Sequence, residues 1–597
     1  MVIGKFHFAL LLLLLLPGAA AQAGNALENH PSPYLAMHGG DPVAWRDWGE
    51  AAVNEAKESG KLLFISSGYF SCHWCHVMQR ESYQDPEVAA LLNRWYVPVK
   101  IDRELEPALD AWLIAFTETT EGTAGWPLNV FLTPDGYPLV GMTYVPRDDF
   151  HERLGRLHDF WNEERERAVA FSRSIVERMR AANRASLPQS LPVGDALVTV
   201  FLEQAMSLAD ELQGGFGDQN KFPMSPRLHV LLAIQQHQPS RELHDFLVLT
   251  LDQMANRGLR DQIAGGFFRY TVDPGWETPH YEKMLYNQAQ LASLYLHAAD
   301  ALNRPGYLDV ARDTLDFVLS QMRGESGAYI ASLSAVDERG EEGGPYLWSE
   351  DALKALLTDR EWKLAQQWWE FPFGTQLPGL ALPFATEKRG NLDEAGIEAV
   401  RRKLLAERQQ RLPPRDTKEL AGWNGLLLKA LAEASGRLGD ARYATAADAL
   451  AQWLVTLWDG ERLQRSGAGS GQGSASLADY LYVADGLRAW GQVADRQRYL
   501  EAAETLVAAA WRLFYGGNGW RLGERQLIPG LDGEAALQDG PMPAPSALAI
   551  AHGEPEQREA ALRMSIAPVL ENPFWYASHA WQLMDFQAEN SDDTHER

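Results

Sequence analysis

The chain has 597 residues, 46% of them hydrophobic, with 54 Lys plus Arg against 80 Asp plus Glu, a formal net charge of -26 and only 2 Cys. At roughly 100 to 200 residues per domain this is room for two to four domains with ample core, which excludes a disordered acidic chain and a disulfide-stapled mini-protein. The acidic balance argues against nucleic acid as a partner, because binding there rests on Lys and Arg displacing counterions.

Residues 1–23 read as a secretory signal. Lys5 precedes an apolar run from Phe8 to Leu16, then Pro17 and Gly18, and both Ala19-Ala20-Ala21 and Ala21-Gln22-Ala23 offer an A-x-A cleavage site. The run is shorter than the roughly 18 to 20 apolar residues a spanning helix needs, and no other stretch is long enough. The expectation is an exported chain, periplasmic or secreted, with no membrane span after cleavage, in a compartment where thiols can oxidise.

From 24 to 186 the pattern alternates strands and helices. Leu62 to Ser66 is an apolar run of strand length, Val97 to Ile101 a second and Asn129 to Leu132 a third. Pro134-Asp135-Gly136 marks a turn, after which Leu139 to Val145 returns as a fourth strand. Helical patterns start beside Cys72 and over Pro107 to Thr119, so this half is an α/β domain with a mixed sheet. Pro188 and Pro192 place a linker at 187–194.

Residues 195–590 are predominantly helical, with 591–597 as a tail. A turn recurs as Gly214-Gly215-Phe216, Gly265-Gly266-Phe267, Gly327-Ala328-Tyr329 and Gly517-Asn518-Gly519-Trp520, with Asp459-Gly460 as a weaker copy. Each repeat is long enough for a helical hairpin, which cannot bury its apolar face alone and must stack on its neighbours. About six or seven such units fit, and a closed ring is favoured over an open array.

Both cysteines lie in Ser71-Cys72-His73-Trp74-Cys75-His76, between a strand and a helical pattern. The free N–H groups and partial positive charge of a helix N-terminus stabilise a thiolate at Cys72, and Cys75 is spaced to resolve a mixed disulfide. His73 and His76, if charged, would favour that thiolate further. Trp126-Pro127, before the third strand, is a place for a cis peptide beside the pair. Three other readings stay open: c-type haem attachment at Cys-x-x-Cys-His, a metal site, and a merely structural disulfide. The leading reading requires neither cofactor nor metal.

Ordered motifs now identify a resemblance. Asn29-His30-Pro31-Ser32-Pro33-Tyr34-Leu35, Asp41-Pro42-Val43-Ala44-Trp45, Cys72-His73-Trp74-Cys75-His76-Val77-Met78, Lys100-Ile101-Asp102-Arg103-Glu104 and Gly125-Trp126-Pro127-Leu128-Asn129 resemble the thioredoxin-domain-containing family that includes spermatogenesis-associated protein 20. The resemblance continues at Pro279-His280-Tyr281-Glu282-Lys283-Met284, Gly340-Glu341-Glu342-Gly343, Arg415-Asp416-Thr417-Lys418 and Trp423-Asn424-Gly425. It implies a thioredoxin-like domain with Pro127 in the cis-proline position, followed by an all-α (α/α)6 toroid like that of N-acylglucosamine 2-epimerases and six-hairpin glycosidases. The chain departs from the family where a Ser-Ala-x-Asp-Ala-Asp stretch reads Ser332-Leu333-Ser334-Ala335-Val336-Asp337.

In the helical half, His280 and Glu282 stand at an expected helix start with Pro279 in its first turn. His280, Glu282, Asp337 and Asp416 read equally as a capping and core-polar cluster or as a pocket in which Trp276 and Trp423 stack on a ligand. The leading expectation is thiol-disulfide exchange through Cys72 and Cys75, guided by Pro127, with the toroid binding a protein client or a saccharide. The alternatives are a carbohydrate-acting epimerase, isomerase or glycosidase on a thioredoxin-like scaffold, and a binding module without turnover.

Overall fold

The computed structural model describes residues 24–183, 194–374, 377–386 and 393–595, apart from 468, 470, 472, 526 and 532. The expected leader at 1–23 lies outside the described residues, as does the expected linker at 187–194 except Gly194, which begins a helix.

The first half contains α1 (Pro33–Met37), α2 (Glu50–Ser59), β1 (Leu62–Gly68), α3 (His73–Met78), α4 (Pro86–Trp95), β2 (Tyr96–Asp102), α5 (Pro107–Glu121), β3 (Leu128–Leu132), β4 (Pro138–Met142), α6 (Arg147–Glu163) and α7 (Arg165–Asn183). The strands form one sheet in the order β2-β1-β3-β4, with β1 parallel to β2 and antiparallel to β3, and β3 antiparallel to β4. All residues of β1 are buried: Leu62 and Phe64 pack with Tyr96 and Phe131, Leu63 and Ile65 with Val97, Val130 and Phe116. Helices cover both faces, which is why this strand reads as a continuous apolar run. The fourth strand stops at Met142, short of the expected Val145. This is a thioredoxin-like domain.

The second half is an (α/α)6 ring. Its inner helices are α9 (Ser225–His237), α11 (Leu285–Ala301), α16 (Ala421–Leu438), α18 (Leu477–Val493), α20 (Pro545–His552) and α22 (Ala577–His595). Each packs on the next, and α22 packs against α9, closing the ring. The outer layer is α8 (Gly194–Leu208), α10 (Arg241–Asn256), α12 (Tyr307–Gln321), α17 (Ala441–Thr456), α19 (Gln497–Phe514) and α21 (Pro555–Glu571), with α8 paired to α22. An inserted subdomain of α13 (Glu350–Leu356), α14 (Asp359–Trp368) and α15 (Glu394–Arg408) has its own core around Trp348 and Trp369. Residues 591–595, expected to form a tail, continue α22.

The inner helix α11 buries every residue from Leu285 to Ala299 except His297, the polar Asn287, Gln288 and Gln290 among them. Between α16 and α18 the backbones touch, since a Cβ on Gly486 would lie 2.3 Å from Gly425 O. Each recurring sequence turn follows an outer helix and leads to the next inner one: Ala209 bridges Phe216, Arg260 bridges Phe267, Arg323 bridges Tyr329, Trp458 bridges Leu463, and Tyr515–Gly516 pairs with Gly519–Trp520. The repeat in the sequence is this hairpin, returning the chain to the same rim.

At that rim the thioredoxin-like domain docks. Its residues meet segments that precede inner helices: Tyr69 bonds Glu282 and Ser71 bonds Met284 before α11, Asp102 bonds Lys418 before α16, and the Glu104 carbonyl accepts from Arg465 before α18. The domain therefore caps the mouth of the ring from which inner helices start. The clasp is ionic. Lys418 Nζ, fully buried, lies 2.7 Å from Asp102 Oδ2, 2.6 Å from Asp416 Oδ2 and 3.1 Å from Glu104 Oε2. Three carboxylates against one ammonium leave surplus negative charge. Burial pushes Glu104 up to about 8, a rise that Lys418 opposes and Asp416 and Asp102 reinforce.

Lys418→Met strands the carboxylates without a cation and is expected to destabilise by about 3–5 kcal/mol, read as a lower denaturation midpoint. Glu104 holds its proton in the folded protein at pH values where the unfolded chain has lost it, so it contributes stability at low pH that is lost as pH rises from about 4.5 to about 8. Glu104→Gln should remove this slope: the Tm difference between variant and wild type should move in the variant's favour from pH 5 to pH 8.

Candidate functional site

β1 ends at Gly68, and a short loop delivers Cys72 to the N-cap of α3, where its sulfur accepts from Cys75 N at 3.2 Å. Cys72 and Cys75 are joined as a disulfide. Both are buried, at 3% and 1% exposure. The Trp126–Pro127 peptide is cis, and Trp126 meets Tyr69 edge-on with ring centroids 5.8 Å apart. From the ring, Met284 accepts from Ser71 Oγ at 3.3 Å, and Ala335 N reaches Ser71 O at 3.5 Å. The pair thus lies under the toroid.

Around it converge side chains from both halves. Tyr69 Oη donates to Glu282 at 2.9 Å and accepts from Arg269, which also pairs with Glu282 at 3.3 Å and bonds Tyr286 Oη at 3.2 Å. His280 lies 3.4 Å from Glu282 and 3.8 Å from Glu342, and Glu342 lies 3.9 Å from His73, the residue after Cys72. Burial raises the Glu342 carboxyl above the usual range. Arg103 stacks on Trp126, 3.7 Å from the ring centroid. Its charge partner Asp110, at 3.8 Å, accepts hydrogen bonds from Ser67 at 2.6 Å and Trp126 at 2.9 Å.

Near the pair sits a second polar layer. Lys100 is fully buried; its ammonium donates to Ser66 Oγ at 2.9 Å and faces the rings of Tyr83, Trp45 and Tyr34 at 4.5, 5.2 and 5.3 Å. Burial lowers it to about 7. His38, lowered by burial to about 3, pairs with Asp41, which also accepts from Trp45 and Gln79.

The structure brings the segment carrying Cys72 and Cys75 together with His280 and Glu282, through Tyr69 and His73, and the cis peptide of Pro127 precedes Leu128, which pairs with Ser67 on the strand leading to the cysteines. His280 and Glu282 do not begin a helix. Pro279–His280 is a strand paired with Tyr270–Thr271, Lys283–Met284 pairs with Ser332–Leu333, and α11 starts only at Leu285. Strand pairing from two sides holds this segment extended, and Pro279 sits in a strand rather than a first helical turn. The other candidates go elsewhere. Asp416 belongs to the Lys418 clasp. Asp337 closes a turn by accepting from Arg339 N and Glu341 N, which shapes the hairpin carrying Glu342. Trp276 is fully buried, donates to Gln213 O at 2.9 Å and packs beside Gly215, so it stacks on no ligand. Trp423 packs edge-on to Tyr286 on α16, one residue removed from Arg269.

Reading the residues one by one missed Glu342, Tyr69, Arg103 and Arg269. Glu342 and Arg103 stood within the quoted motifs; Tyr69 and Arg269 carried no spacing that set them apart.

His73 and His76 differ from expectation. Burial, reinforced by the neighbouring His280, lowers His73 to about 4, and burial also lowers His76, whose Nε2 meets Phe70 O at 2.8 Å. In the disulfide form both are neutral at pH 7, so neither is the charged neighbour that would favour a thiolate from the outset.

A family model described as "Thioredox_DsbH: Protein of unknown function, DUF255" matches residues 24–180. Spermatogenesis-associated protein 20 of Rattus norvegicus is 32% identical over 584 residues, covering 88% of this chain and 74% of its own length; that of Homo sapiens is 32% identical over 570 residues, covering 85% and 72%. Among solved structures, cellobiose 2-epimerase from Bacillus thermoamylovorans aligns at 10% identity and a TM-score of 0.40, over 69% of this chain and 87% of its own.

An imidazolium beside Cys72 would lower its thiol pKa by about 1–3 units. Because His73 is neutral, His73→Gln is expected to shift thiolate formation, followed by ultraviolet absorbance between pH 6 and 9, by less than about half a unit on that scale. A shift above one unit would show the ring to be charged.

Proposed function

The chain belongs to the family of spermatogenesis-associated protein 20, and we propose that it carries out thiol-disulfide exchange on a small molecule at the seam between its two domains. A single observation carries this reading: the disulfide lies at a helix N-terminus after the strand whose Ser67 pairs with Leu128, the residue following the cis Trp126–Pro127 peptide, and the toroid's Met284 accepts from Ser71 next to Cys72. A buried sulfur pair suits a small thiol better than an extended protein segment.

In the exchange a substrate thiolate attacks the Cys72 sulfur, forming a mixed disulfide and releasing Cys75 as thiolate. A second substrate thiolate attacks the substrate sulfur of that bond, releasing a substrate disulfide and the Cys72 thiolate. Two electrons pass from the two thiols to the pair, and the reverse sequence reduces a disulfide. His280, set between Glu282 and Glu342, is placed to carry the proton. Arg103 makes no side-chain hydrogen bond among the described residues and offers a guanidinium to a substrate carboxylate.

In this reading the leader at 1–23 exports the chain to an oxidising compartment, which amino-terminal sequencing of the mature protein checks. A carbohydrate-acting ring is the second reading: an imidazole between two carboxylates is also what proton transfer on a sugar needs. Heat released on titration with hexoses, together with isomerised or hydrolysed product, would favour it.

Wild type, first reduced by dithiothreitol and freed of it so that the Cys72–Cys75 dithiol supplies the two electrons, should reduce oxidised glutathione, an anionic disulfide, faster than neutral hydroxyethyl disulfide and faster than the disulfides of insulin. Cys72→Ser should lose at least about a hundredfold of this activity. Equal activity in Cys72→Ser would end the redox reading.

A further inference from the structure

Most polar atoms near the disulfide are paired. Tyr83 Oη meets Ser66 Oγ at 2.9 Å and Asn129 Oδ1 at 2.6 Å, Lys100 and Asp41 have the partners given above, and His38 bonds Asp41 through Nδ1 while its Nε2 has no partner among the described residues. Tyr34 is the unpaired group nearest the sulfur. It is fully buried in α1, and its hydroxyl has no hydrogen-bond partner among the described residues. Leaving a buried hydroxyl unpaired costs about 1–3 kcal/mol, so its retention calls for a reason.

The reason lies at Gly68, the last residue of β1. A Cβ built there would sit 2.2 Å from Tyr34 Oη and 2.8 Å from Cys75 Sγ. The hydroxyl and the sulfur therefore crowd the same side-chain-sized space, which is left open because residue 68 is glycine. Within the disulfide, Cys75 Sγ is a weak acceptor. Once the bond opens it bears charge and is a strong one.

We propose that Tyr34 is a positioning residue for the redox pair, its hydroxyl donating a hydrogen bond to the Cys75 sulfur when the disulfide is reduced. Reduction by an external dithiol transfers two electrons into the Cys72–Cys75 bond, while the dithiol's own sulfurs close into a disulfide. Cys75 is released as thiolate into a water-poor pocket, where its alternatives are to take a proton or to find a donor. Tyr34 is that donor. The Lys100 amine, 5.3 Å from the Tyr34 ring centroid, puts positive charge near the same ring when protonated. Because the bond is made only in the reduced state, it favours the dithiol and makes the pair more oxidising. The Asn29-to-Leu35 motif thereby acquires a role at the disulfide.

The inference rests on the pair being the redox centre, and its test uses the full chain equilibrated in dithiothreitol buffers, with the oxidised fraction read by alkylation and mass. Tyr34→Phe should shift the equilibrium about tenfold toward the disulfide, which is about 30 mV more negative. Its oxidised form should melt no lower than wild type, while its reduced form should melt lower. Tyr83→Phe is the control: it removes a hydroxyl bonded in the oxidised state, so it should lower both melting points and move the equilibrium less than twofold. A Tyr34→Phe equilibrium within twofold of wild type, or one shifted no more than that of Tyr83→Phe, overturns the proposal. If dithiothreitol leaves the folded wild-type pair oxidised, the redox reading falls with it; if only the variant is unresponsive, the exchange reading stands and this inference alone is lost.

Discussion

Lys418 sets one ammonium against Asp102, Glu104 and Asp416, two carboxylates from the thioredoxin-like domain and one from the ring. Such a cluster has little to recommend it as a source of net stability, since desolvating charge costs about what pairing returns. What it provides is register. Asp102 ends β2, and the segment after it leads through Arg103 to α5, so fixing Asp102 against the ring also fixes the neighbourhood of Arg103 and Trp126. Docking at the mouth brings Glu282, Met284 and Glu342 over the sulfurs.

The consequence for chemistry is a low-dielectric seam in which every charge needs an answer. Arg269 answers Glu282, and Tyr69 bonds to both of them, tying the residue three before Cys72 to the toroid. His73 gives way to burial and stays neutral. In the proposed exchange a thiolate at Cys72 would rely on fixed dipoles at the start of α3, which cost nothing to reorganise when charge develops. A thioredoxin-like domain standing alone would expose this surface; here the ring supplies one wall of the site.

The sequence discloses much of the architecture, because the physics involved is local or periodic. Leu62 to Ile65 reads as a strand because helices cover both of its faces, and the Gly-Gly-Phe turns read as a repeat because the same hairpin follows outer helices. The motif with both cysteines gives its own position at a helix start. What it does not disclose is contact across hundreds of residues. Asp416 has the composition of a pocket acid, and only the approach of Asp102 and Glu104 makes it part of a clasp. Trp276 has the look of a ligand platform, yet its indole N–H goes to Gln213 O in a closed core. His280 and Glu282 alternate with apolar neighbours before a helix, and nothing nearby reveals that residues 270–271 and 332–333 hold that segment as strand.

The two polar layers near the disulfide follow different rules. The inner layer is a set of buried groups, paired apart from the Tyr34 hydroxyl and His38 Nε2, packed around Trp45, Tyr83 and Phe64. In the outer layer Tyr69, Glu282 and His280 are buried, while Glu342 and Arg103 keep part of their surface in water, where a solvent partner can be exchanged for another group. Between them lies Gly68, where no side chain fits. Its missing Cβ leaves the gap into which both Tyr34 and Cys75 point, so the strand that carries the sheet's core also sets the distance at which a sulfur can meet its donor.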